Sequence, residues 1–64
     1  MAITAADITR QMDGLVLRDL PVTHLIDVQS GLQALLRYAD TTGKEAIRQQ
    51  VGRINGELKR HTRT

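Results

Sequence analysis

The stretch YADTTGKEAI, residues 38–47, contains the one residue pair in the chain that suggests phosphate chemistry, Gly43-Lys44. A phosphate-binding loop also needs a glycine five residues before that pair, a Ser or Thr directly after it, and a buried strand leading in. Tyr38 and Glu45 occupy those two positions, and the preceding residues read as helix. Thr42 and Glu45 have the spacing of a capping box, in which the threonine hydroxyl accepts a backbone N–H and the glutamate reaches back to the threonine N–H. The stretch therefore reads as the turn before a helix that starts at about Gly43, and no cofactor is expected there.

Other reactive residue types are scattered. His24 and Asp27 stand three apart and share a helix face, but zinc needs two further ligands, and none lies at useful spacing. Serine occurs once, as Ser30, without a histidine and acid placed to activate it. No catalytic, metal or cofactor residues are assigned, and the chain is not expected to be an enzyme.

Three segments must position whatever the protein presents. Thr4 is a helix N-cap with Asp7 in the first turn. Ala5, Ile8 and Met12 share a face, and Asp13-Gly14 ends this short helix, placed within residues 1–14. Residues 15–21 form a connector that lays leucines on the core, and Pro21 suits the first turn of the next helix. A long helix is expected over 22–40, where Leu25, Val28, Leu32 and Leu35 recur at spacings of three and four. With Val22, Ile26 and Leu36 added, its apolar stripe covers about half the circumference. Ile47, Val51, Ile54 and Leu58 give a narrower stripe on a last helix over 43–59. That helix is weakened by Gly52 and Gly56, with fraying expected at Asn55-Gly56 and a flexible basic tail over 60–64.

The short turn makes the last two helices antiparallel neighbours. The expected fold is all-α: a short N-terminal helix plus an antiparallel helical hairpin. A chain of 64 residues buries a small core, and this one has no cysteine and a single tyrosine. Two hairpins are therefore expected to pair as a homodimer with a four-helix core. The layout resembles that of small RNA-binding hairpin dimers and small regulatory proteins of bacteria or phages. This is a similarity of architecture that no residue motif carries.

The net charge is +2 and the pI about 9.7. Asp7, Asp13, Asp19, Asp27 and Asp40 crowd the first part, and Lys44, Arg48, Arg53, Lys59, Arg60 and Arg63 the last. These halves can complement each other within one chain or between two. Lys44, Arg48, Lys59 and Arg60 are the candidate polyanion contacts. His24, Gly31 and Tyr38 are seven apart and line one helix edge, with Arg37 beside them. Glycine in mid-helix needs a reason, and tyrosine and arginine are frequent anchors of binding energy. That edge is the candidate partner-binding surface.

The function expected is that of a small non-enzymatic interaction protein that modulates or inhibits a larger protein. The alternative is a nucleic-acid-binding dimer acting through the basic last helix, and the third reading is a structural subunit of a larger assembly. The start, MAITAADITR, has no signal-peptide pattern, no segment is apolar enough to span a membrane, and a cytoplasmic location is expected.

Overall fold

The computed structural model describes residues 2–62 of the 64. It is all-α: α1 spans Ala5–Met12, α2 Val22–Leu35 and α3 Thr41–Thr62, with 3₁₀ turns at Leu17–Asp19 and Leu36–Tyr38. Among the described residues the one extended pairing is an isolated parallel bridge between Ile3 and Ala39.

α1 begins where the N-cap signal stands. The Thr4 hydroxyl accepts the Asp7 N–H at 3.3 Å, and the Asp7 carboxylate accepts the Thr4 N–H at 3.0 Å. This reciprocal box satisfies two donors that a helix start leaves without partners. Ile8 is buried at 1% exposure, and α1 ends at Met12. Gly14 follows at φ +84°, a left-handed conformation that glycine adopts without strain, and it reverses the chain. In the connector, Leu17 and Leu20 pack against the core while Leu15 stays exposed, so two of its three leucines do what was expected. Pro21 is the N-cap of α2 rather than part of its first turn. Its φ of −66° suits the entry, and its carbonyl accepts the Leu25 N–H at 3.0 Å.

α2 is shorter than the expected 22–40. It ends at Leu35 and tightens into the 3₁₀ turn, because Ala39 must be extended to pair with Ile3. α3 is longer than the expected 43–59. It runs without interruption through Asn55-Gly56 to Thr62, so residues 60–62 are helical. Of the residues assigned to a flexible tail, Arg63 and Thr64 lie outside the described residues. Buried Ile54 and half-buried Leu58 flank Gly56, and their packing outweighs the low helix propensity of glycine.

The start of α3 corrects the reading of the turn. Glu45 does not bond back to Thr42. Asp40 is the cap: its carbonyl accepts the Lys44 N–H at 2.9 Å, and its carboxylate accepts the Gly43 N–H at 2.8 Å and the Thr42 hydroxyl at 2.7 Å. The Thr42 oxygen in turn accepts the Ala5 N–H at 3.3 Å. Ile3 completes the join, donating to the Tyr38 carbonyl at 2.8 Å and accepting from the Asp40 N–H at 3.0 Å. The first turns of α1 and α3 are thus knitted side by side. A carboxylate stands at each, where the helix dipole favours negative charge. Both carboxyls are held below their ordinary pKa of 3.8. For Asp7 the cause is the Thr4 N–H and then its hydroxyl; for Asp40 it is the Gly43 N–H and then the Thr42 hydroxyl.

α1 starts beside the first turn of α3 and therefore runs parallel to it, while α2 runs antiparallel, with Gln29 donating to Asn55 well away from the turn. Both pack on α3, which is the central element. The fully covered core is Ile8 from α1, Leu25 and Leu32 from α2, and Ile47 and Ile54 from α3. Each such side chain contributes roughly 1.5–3 kcal/mol on burial.

Candidate functional site

Of the apolar residues assigned to the core or dimer contact, Leu25, Leu32, Ile47 and Ile54 are buried. Val28, Leu35, Leu36, Val51 and Leu58 are only half-buried. Ile8 belongs with the first set. Its place on the α1 face signals this, but a helix of two turns gave little reason to rank it with the hairpin residues.

α2 is therefore incompletely covered. α1 packs chiefly on α3, so an apolar groove of about 390 Å³ remains between the end of α1 and the outer side of α2. Met12, Leu15, Val28 and Leu35 line it, with Gln11 and Asp27 at its edges. Gly31 lies along it, and a β-carbon there would meet nothing within 4 Å. Of the wide stripe read from the sequence, Leu25 and Leu32 are buried in the core and Val28 and Leu35 pack against it, and Val28, Leu32 and Leu35 also line the groove. Ile26, 46% exposed, lies away from the groove.

The proposed edge of His24, Gly31, Arg37 and Tyr38 is only partly one surface. His24 and Gly31 are exposed on α2, whereas Arg37 and Tyr38 lie beyond its end, in the 3₁₀ turn. The seven-residue spacing therefore does not continue as a straight edge. Tyr38 is 62% exposed at the clasped end, its carbonyl occupied by Ile3. His24 and Asp27 gain no third ligand, and no cluster suited to a metal ion occurs among the described residues.

The Gly43-Lys44 pair lies at a helix start whose Gly43 N–H is taken by Asp40. Gly43 is buried, and its Cα faces the Ile3 carbonyl oxygen so closely that any side chain would collide with it. A carboxylate of the protein sits where a bound phosphate would need to be.

Lys44, Arg48 and Lys59 are exposed on one side of α3. Arg60 lies on another side, 3.4 Å from Glu57. It borders a second cleft, of about 620 Å³, with Arg53 of α3 and Arg18 of the connector. Arg18 and Arg53 are not among the candidate contacts read from the sequence, and Arg18 reaches this side of α3 only through the turn at Gly14. Met12 and Leu15 line both this cleft and the apolar groove. Comparison of the chain with family models, curated proteins and solved structures finds no match.

Proposed function

We propose that this chain is a small non-enzymatic interaction protein that works as a homodimer and modulates a larger protein, in the cytoplasm. One observation carries the reading: the apolar groove along α2 with Gly31 in its wall. A second copy suits this groove. Two α2 helices crossing at Gly31 approach closely because neither carries a side chain there, and each covers Val28 and Leu35 of the other. This gives the four-helix core of paired hairpins. Charge favours the same pairing. Among the described residues the one carboxylate–guanidinium pair, Glu57–Arg60, lies within α3, so the acidic first part and the basic last part do not neutralise each other inside the chain. The larger partner is assigned to the end of the molecule that stays open, where Tyr38 offers a broad aromatic surface and Arg37 a guanidinium fork. No helix among the described residues is long and apolar enough to cross a membrane.

Gly31→Glu tests the dimer cleanly. The position is exposed and opens onto empty space within the chain, so the monomer fold tolerates the change, while a crossing helix does not. Light scattering after size exclusion should give about twice the 7.1 kDa chain mass for the parent at micromolar concentration, and the chain mass for the variant, with equal helical ellipticity. A folded parent monomer refutes the dimer.

A second reading has one observation of its own. Lys44, Arg48 and Lys59 stand exposed on one side of α3, a surface that could contact phosphates. Affinity for nucleic acid that falls steeply with salt and disappears on replacing these three by glutamine would favour it.

A further inference from the structure

We infer that the cleft between the connector and the C-terminal half of α3 is a second binding site, for an acidic, aliphatic segment of a partner protein, with Arg18 and Arg53 as its anchors. It adjoins the α2 groove, sharing Met12 and Leu15 with it, but Arg18, Arg53 and Val16 lie outside that groove.

Three features carry the assignment. The first is uncommitted charge. Arg53 and Arg60 are seven apart on α3 and so project from the same side, about 10 Å apart along the axis. Arg18 comes to them from the 3₁₀ turn that Gly14 folds back over α3. Arg60 is engaged by Glu57 at 3.4 Å. Among the described residues, Arg18 and Arg53 form no ion pair or side-chain hydrogen bond. Two guanidinium forks therefore border one cleft with their donors turned to solvent.

The second feature is apolar surface beside the charge. Leu15 and Val16 are 37% and 48% exposed, adjacent in sequence, and both line the cleft. A ligand that satisfies this surface carries aliphatic groups beside its anionic ones.

The third feature chooses the class of ligand. A nucleic-acid strand presents successive phosphates and bases. The bases call for stacking platforms, and the cleft has no aromatic residue, since Tyr38 lies at the far end of α3. The phosphates call for continuous positive charge, and Glu57 and Asp13 interrupt it here. Spaced carboxylates between aliphatic side chains suit the site better. Each arginine can hold one carboxylate through two parallel N–H bonds, and Leu or Ile side chains cover Leu15 and Val16.

The test uses the full ¹⁵N-labelled chain and three probes: a blocked amphipathic peptide of leucine and glutamate, the same peptide with lysine for glutamate, and a ten-residue oligothymidylate. The Leu/Glu peptide should shift amides of residues 14–18 and 50–57 in a saturable way, and the Leu/Lys peptide should not. Arg18→Ala and Arg53→Ala, both at exposed positions, should each weaken the binding about tenfold, as loss of a charge-assisted contact does. Arg53→Lys keeps the charge without the fork and should fall between. Circular dichroism of each variant confirms that the fold persists. The inference is overturned if the Leu/Glu peptide produces no saturable shift there, if the Leu/Lys peptide binds equally, or if the alanine variants bind like the parent. Tighter binding of the oligothymidylate to the same amides overturns it in favour of nucleic acid. A fall to monomer mass in Arg53→Ala overturns it in favour of a contact between copies. Gly31→Glu serves as the control, because it breaks the proposed dimer and leaves the cleft intact.

Discussion

The two ends of α3 are held in different ways. At its start, the chain before α1, the turn after α2 and the first turn of α3 are joined through backbone pairing and the Asp40 carboxylate. Towards its end, α3 is held by side chains: Ile54 in the core, Asn55 bonded to Gln29, and the 3₁₀ turn of the connector resting nearby. The first arrangement leaves no room for a side chain at Gly43. The second leaves a cleft beside Arg53 and empty space above Gly52 and Gly56. In so small a chain, uniqueness of structure is concentrated where polar groups interlock, and accessible surface where packing alone does the holding.

Gly43→Ala should break this comparison with the largest effect. Its methyl group would collide with the Ile3 carbonyl oxygen and lie 3.0 Å from the Ala39 β-carbon. The neighbour that must yield is backbone already bonded to Asp40, so relief requires opening the bridge. Overpacking of this kind costs typically about 1–3 kcal/mol, and the loss here should fall in the upper part of that range. Urea denaturation of parent and variant measures it. An unchanged midpoint would show that the N-terminal segment does not hold α3.

Asp40→Ala should come next, at about 1 kcal/mol for a lost N-cap. Thr42→Ala should cost less, because Thr42 supports the cap rather than forming it. The same join gives the protein an acid limit. Asp7 and Asp40 have folded pKa values below the ordinary 3.8. Their contribution is therefore fully present above that value and is lost as the pH falls through the lowered folded values, because the unfolded chain binds the protons first. Thermal midpoints should hold down to about pH 5 and drop below pH 4. In the variant with both residues changed to asparagine this drop should be shallower.

Local signals were legible. Thr4 starts α1, Asp13-Gly14 stops it, and Leu25, Leu32, Ile47 and Ile54 form the core because their spacing puts them on facing stripes. Signals that depend on distant residues were not. Thr42-Gly43-Lys44-Glu45 matches a capping box by spacing, but Ile3 arrives from 40 residues earlier and needs a glycine at position 43. Asp40 then becomes the residue placed to accept the Gly43 N–H. Arg18 likewise meets Arg53 only because of the path after Gly14. The lone tyrosine at Tyr38 was visible as an exposed anchor candidate. Its separation from the α2 edge was not, since that follows from the pairing of Ala39 with Ile3.

The smallest expected change has the opposite sign and sharpens the contrast. Gly52 and Gly56 lie opposite the buried Ile47–Ile54 stripe, and a β-carbon at either would meet nothing within 4 Å. Both are within α3, at negative φ, where alanine fits the backbone. Glycine there lowers helix stability because its backbone has more freedom to lose on ordering, and alanine recovers up to about 1 kcal/mol per site. Gly52→Ala and Gly56→Ala should therefore each raise the urea midpoint, with the gain nearly additive. The contrast with Gly43→Ala is then direct: one substitution, one helix, opposite signs, decided by what the new methyl group meets. Repeating the measurement over a range of protein concentrations adds a further discrimination. If the gain at Gly52 or Gly56 shrinks or reverses as concentration rises, a second chain approaches α3 closely at that glycine, and the dimer contact belongs there rather than at Gly31 of α2.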